Sequence, residues 1–153
     1  MGLLVAMVAA CGSPSTGPTV VAPVALPKLA MLQTESLTFP ETARAITDLL
    51  GRARVRGFSE AQISKVSLEV VQLSIECVDQ TMACLQNVGR SLHANQMLFA
   101  TIERGPKPES CRVTVSLFDV DAAAWKRRAT KLFDTGEDAS DGVHDVIDEA
   151  TRP

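Results

Sequence analysis

The chain has 153 residues, a formal net charge of −3 and 46% hydrophobic residues. That suffices for one domain with its own core, and the near-balanced charge excludes the domain-wide basic field on which nucleic-acid binding rests. Aromatic residues make up 4% and Tyr is absent, so stacking platforms for bases or sugars are not supplied.

The first stretch reads MGLLVAMVAACGSPS. Leu3 to Ala10 is apolar throughout, but a membrane-spanning helix needs ~20 such residues. An aliphatic residue, two small residues and a cysteine follow one another at Val8-Ala9-Ala10-Cys11. This resembles the lipobox of bacterial lipoproteins. The resemblance implies removal of residues 1–10 as a signal peptide and a diacylglycerol joined to the Cys11 sulfur. Residues 11–27 are rich in Ser, Pro, Thr and Gly and read as a flexible tether. The folded domain is then expected over residues 28–151. No Lys or Arg precedes the apolar run, which points to a start further upstream. Gly12, not Asp, follows the cysteine. By resemblance to enterobacterial sorting, that favours an outer-membrane lipoprotein facing the periplasm.

The folded part opens with a short strand candidate, Lys28–Gln33. A helix is expected from Pro40, which suits a first turn. Ala43, Ile46, Leu49, Leu50 and Ala53 fall on one face at helical spacing. Arg52, Arg54 and Arg56 would occupy the last turns, where cations suit the helix dipole, and Gly57 would be the stop. A binding patch is the alternative reading of these arginines.

Ser59–Gln62 has the spacing of a capping box. Ile63–Val66 reads as a short edge strand, and Leu68, Val71 and Ile75 repeat at helical spacing through Cys77. A further helix carries Met82, Leu85, Val88, Gly89 and Leu92 on its inward face. A glycine costs helix stability relative to alanine, so Gly89 marks close packing against another element.

Cys77 and Cys84 are the expected disulfide, because an exported chain meets an oxidising compartment. On one continuous helix they would stand ~10 Å apart along the axis. A disulfide needs Cα atoms within ~7 Å. A break is therefore required between them, with Asp79 or Thr81 capping the next helix. The alternative is two separate buried thiols. Cys111 is left over, and no tight ligand pair joins the cysteines to His93 or His144 as a zinc site.

Asn95–Glu103 reads as a strand, the Gly105, Pro106 and Pro108 region as a turn, and CRVTVSLFDV as a second strand. Cys111, Val113, Val115 and Leu117 would share its buried face, opposite Arg112, Thr114, Ser116 and Phe118. The segment DAAAWKRRATKLF is open. Trp125, Arg128, Ala129 and Leu132 suit a helix, whereas a strand would put Trp125, Ala129 and Phe133 on one face. In the last segment Glu137, Asp138 and Asp141 favour a helix start, and Val143, Val146, Ile147 and Ala150 form its apolar stripe. Interleaved strands and helices imply an α/β or α+β fold, a two-layer sandwich of a small mixed sheet with packed helices.

Candidate chemistry is sparse. Asp119 and Asp121 flank Val120, and paired carboxylates can run acid–base chemistry or hold a cation. Solvated turn acids are the simpler reading. DTGEDASD, residues 134–141, misses the EF-hand spacing. His93 and His144 stand alone, and no nucleophile elbow is present. Lys126, Arg127, Arg128 and Lys131 form the densest basic cluster; it either faces an acidic partner or lipid, or protects a strand edge.

Cys77, Cys84-Leu85, Gly89, Leu92, Ala94-Asn95, Leu98 and Asp119-Val120 follow in an order similar to envelope proteins of myxobacteria and relatives that carry a TolB-like amino-terminal domain. That fold is shared in outline with CsgG-like and LpoB-like lipoproteins. Asn95 stands where the pattern usually has Asp. The resemblance implies that Trp125–Phe133 is a strand. It also implies a non-enzymatic binding or assembly module without a cofactor, partnered by another envelope protein. Two further classes follow as alternatives. One is an oligomeric secretion or pore-associated component of CsgG-like type. The other is a metal-dependent hydrolase resting on Asp119 and Asp121.

Overall fold

The computed structural model describes residues 27–77 and 79–152. Cys11, the expected signal and the tether up to residue 26 lie outside the described residues. The chain runs β1 (Lys28–Gln33), α1 (Pro40–Arg52), β2 (Glu60–Ser67), α2 (Leu68–Ser74), α3 (Met82–Ser91), β3 (Gln96–Arg104), β4 (Cys111–Asp119), β5 (Ala124–Phe133) and α4 (Gly136–Thr151). Five strands form one mixed sheet in the order β2-β1-β3-β4-β5. β1 is parallel to both β2 and β3, whereas β3–β4 and β4–β5 are antiparallel. This is an α+β fold, a small mixed sheet with packed helices.

Alternation along the strands builds two cores. Leu29 and Met31 of β1, Leu98 of β3, and Val113, Val115 and Leu117 of β4 face α1 and α4. Ala30 and Leu32, Met97 and Phe99, and Phe118 point the other way, towards α2 and α3. β1 is apolar from Leu29 to Leu32 because both its faces are covered, so it lacks the alternation of a half-exposed strand. α1 and α4 make the main helical layer, and α2 with α3 adds a partial layer on the opposite face. On β5 that opposite face stays open, with Arg128, Thr130 and Leu132 exposed.

Local chemistry sets the helix ends. Thr81 accepts a hydrogen bond from the Cys84 amide, Ser67 from the Val70 amide and Thr135 from the Asp138 amide. Each satisfies one of the orphan donors of a first turn. Pro40 opens α1, where a missing amide hydrogen costs nothing.

Several expectations are corrected. α1 ends at Arg52, and Ala53 caps it in an extended conformation. Gly57, at φ +91°, belongs to a later turn. Arg54 and Arg56 are thus outside the helix, because Ala53, Val55 and Phe58 pack against the first core from an extended segment. Ser59–Gln62 leads into β2 instead of capping a helix: Lys28 pairs with Glu60 in the parallel ladder, and tertiary pairing overrides the local signal. Met82 is 39% exposed, since it stands at the first turn of α3. In β5, Phe118 pairs with Trp125 but Leu117 pairs with Arg127, which leaves Lys126 as a bulge. The bulge turns Trp125 to the face opposite Ala129 and Phe133.

Candidate functional site

The two flanking carboxylates Asp119 and Asp121 each hold a separate hydrogen-bond partner. Asp119 Oδ1 accepts from the Ala122 amide at 2.9 Å, closing the β4–β5 turn. Asp121 Oδ2 accepts from Asn95 Nδ2 at 2.9 Å. Asn95 also holds the start of β1, its Oδ1 accepting from the Lys28 amide at 2.9 Å while its own amide donates to the Lys28 carbonyl at 2.9 Å. The Val120 amide donates to the Asn95 carbonyl at 2.8 Å, and Gln86 Nε2 donates to the Val120 carbonyl at 2.8 Å. These acids are structural partners of backbone and amide groups. The signal for Asn95 was present in its departure from the expected Asp, but its four hydrogen bonds, to Lys28, Val120 and Asp121, are set by tertiary structure.

Cys77 and Cys84 are joined, with Cα atoms 5.7 Å apart. α2 ends at Ser74 and α3 begins at Met82, so a turn brings the two cysteines together. Glu76 adopts φ +56° within that turn. Buried Gln72 supports the bridge, its Nε2 donating to Cys84 Sγ at 3.4 Å. Cys111 is a fully buried free thiol; burial first, and then the charge of Asp138, push its pKa up. His93 is exposed at φ +53° after α3. His144 Nδ1 lies 2.8 Å from the Asp141 carbonyl, and its Nε2 lies 3.2 Å from Asp145. Among the described residues no three of His, Cys, Asp and Glu are grouped to hold a metal ion. Residues 134–141 supply the start of α4: Thr135 Oγ1 donates to Asp138 Oδ2 at 2.8 Å. Asp134 pairs with Lys107 at 2.8 Å; that hydrogen bond and charge lower the Asp134 pKa and raise that of Lys107.

The basic run of β5 is divided by the sheet. Arg128 stacks over the Trp125 ring, 4.6 Å from its centroid. Trp125 in turn meets Phe118 edge-on at 5.3 Å and Phe99 at 6.1 Å. On the other face Lys131 pairs with Asp145 of α4 at 3.5 Å and lies 5.1 Å from the Phe133 ring centroid. Trp125 and Arg128 line a hollow of about 240 Å³ together with Glu35, Glu69, Glu103 and Ser116. The pairing of Trp125 with Arg128 was visible in sequence only as a helical spacing; the bulge at Lys126 produces it on a strand.

A wider cleft of about 770 Å³ opens at the carboxyl end of β1, lined by Thr34, Glu35, Leu37, Arg44, Asp48 and Glu69 among others. β1 lies between its two parallel partners, and the connections to them leave on opposite faces of the sheet. Such a switch point is where open α/β sheets form crevices. Leu37 projects fully into solvent beside it, and the buried Thr34 hydroxyl has no hydrogen-bond partner among the described residues. Arg44 is occupied by Glu41. The cleft offers carboxylates, hydroxyls and apolar surface.

No family model matches the chain. No curated protein matches it either. Among solved structures it is similar to the C-terminal domain of LpoB from Salmonella enterica, at 12% identity over 72% of this chain and 85% of that one, with a TM-score of 0.48. It is also similar to the PelC dodecamer from Paraburkholderia phytofirmans, at 15% identity over 84% and 90% of the two chains, with a TM-score of 0.44. TolB from Acinetobacter baumannii is a weaker neighbour, at 16% identity over 86% of this chain and 29% of that one, with a TM-score of 0.42.

Proposed function

We propose that the protein is a lipid-anchored module of the bacterial envelope that binds another envelope protein and carries no catalysis of its own. The observation that carries this reading is the Cys77–Cys84 disulfide between α2 and α3. Structural disulfides persist in exported proteins and are rare where thiols are kept reduced. The order of apolar run, lipobox, cysteine and tether in residues 1–27 supports the same compartment and supplies the anchor at Cys11. Asp119 and Asp121, the residues on which a hydrolase would rest, are engaged in the β4–β5 turn and with Asn95. The tether lets the domain meet partners away from the membrane surface. Gly12 after the anchor favours the outer membrane, with the domain facing the periplasm.

The test is the intact mass of the protein extracted from membranes of a bacterial host. The expected species begins at Cys11, carries diacylglycerol, and has Cys77 and Cys84 oxidised. A species that retains Met1, bears no lipid and has both thiols reduced overturns the reading.

A further inference from the structure

Three arginines remain outside the functions described so far. Arg54 and Arg56 alternate with Val55 on the extended segment after α1, so both project into solvent while Val55 packs inward. Arg152 follows the end of α4. Together with Asp148 and Thr151 they line one hollow of about 180 Å³. The helix dipole does not account for Arg54 and Arg56, because the helix ended at Arg52. None of the three arginines is in an ion pair among the described residues, and neither is Asp148. The hollow thus holds an excess of two positive charges over its single carboxylate. Thr151 Oγ1 is turned back to the Ile147 carbonyl at 2.8 Å, so the arginines supply the donors.

Guanidinium groups present planar forks of N–H donors that match phosphate oxygens two at a time. We propose that Arg54, Arg56 and Arg152 form a binding site for a phosphate-bearing anion, supplied by the headgroup of an anionic phospholipid. The location supports that source. The segment carrying Arg54 and Arg56 runs on to Ser59, whose amide donates to the Pro27 carbonyl at 3.1 Å. Pro27 is where the expected tether joins the domain, so the arginines lie at the end of the domain that carries this junction. The lipid source rests on the anchoring proposed above; the anion site does not.

The experiment uses the full chain carrying Cys11→Ser, so that no lipid anchor contributes. Sedimentation with vesicles of equal parts phosphatidylglycerol and phosphatidylcholine is compared with pure phosphatidylcholine, the latter giving the baseline for residues 3–10. Binding above that baseline is expected with phosphatidylglycerol, and it falls as salt is raised. Each arginine replaced by Gln weakens it about fivefold. The triple variant Arg54→Gln, Arg56→Gln, Arg152→Gln returns it to the baseline. A control triple at exposed positions elsewhere, Arg90→Gln, Arg104→Gln, Lys126→Gln, removes the same charge and retains most of the binding. Equal loss in both triples overturns the site in favour of a diffuse field. Titration of inorganic phosphate, followed by its phosphorus resonance, separates the two sources. Phosphate binding lost in the arginine triple, with no vesicle binding, keeps the anion site and overturns the lipid source. Binding of neither probe overturns the proposal. Should the triple variant unfold by circular dichroism, Arg56→Gln alone is read for its fivefold loss, and unchanged binding in it overturns the site.

Discussion

Gly89 of α3 lies so close to Val120 that a methyl group at position 89 would overlap the γ- and β-carbons of the valine side chain. Val120 cannot step aside, because its amide is held by Asn95 and its carbonyl by Gln86. Alanine in a helix interior gains up to about 1 kcal/mol over glycine. Overpacking a filled core costs about 1–3 kcal/mol. The clash wins here, and Gly89→Ala is expected to lower stability by about 1–2 kcal/mol in urea unfolding. A double-mutant cycle with Val120→Ala should show a coupling above about 0.5 kcal/mol. Additive effects would mean that the two residues do not constrain each other.

Asn95 answers a different question, namely why an amide stands where a carboxylate was expected. Its Nδ2 donates to Asp121, and a carboxylate at 95 would face another carboxylate. Asn95→Asp should cost about 1–2 kcal/mol at neutral pH, by loss of a hydrogen bond and gain of a repulsion. Folding would raise the pKa of that carboxylate pair. The stability is therefore fully present below the unfolded carboxylate value of about 4 and is lost as pH rises through the raised folded value. Unfolding midpoints of the variant and the parent should converge towards pH 4. A deficit that does not change with pH would place the cost elsewhere.

The disulfide closes a short loop, with a sequence separation of 7. Loop-closure entropy for that length corresponds to about 2–3 kcal/mol. Replacing Cys77 and Cys84 together by Ser should lower the unfolding free energy by that order, and reductant should have no further effect on the variant. A parent protein indifferent to reductant under denaturing titration would remove the staple from the account.

Cys111 is expected to be chemically silent in the folded state. Its side chain is buried against the first core, and burial favours the neutral thiol over the reactive thiolate. Iodoacetamide at pH 8 should label Cys111 only when denaturant is present. Native-state labelling at the rate of a free thiol would show that the β4 end opens readily.

Legibility in the sequence followed physical range. The β4 strand could be read because apolar residues alternate with others at period two, and Cys111, Val113, Val115 and Leu117 do lie in one core. The opposite face, expected to be open, is buried as well, at Thr114, Ser116 and Phe118, because α2 and α3 cover that side of the sheet. The α4 stripe of Val143, Val146, Ile147 and Ala150 is likewise buried as the helical period implied. Ser59–Gln62 was misread because a capping pattern is local, whereas pairing with β1 is a contact between distant segments. The face occupied by Trp125 was misread because a single bulged residue shifts the parity of a strand, and nothing in Ala124–Phe133 marks Lys126 as that residue.

The order of residues by itself determined the types of β1, β4 and α4, the need for a break between the two cysteines, and the close approach implied by a glycine inside a helix. Tertiary structure alone decided what the break and the glycine meet. It also decided that the two turn acids serve the backbone, and that Arg152 joins Arg54 and Arg56 at one hollow. Periodicity records which side of an element is buried. It carries no record of which distant segment does the burying, because that choice is made by the summed packing of all the faces at once.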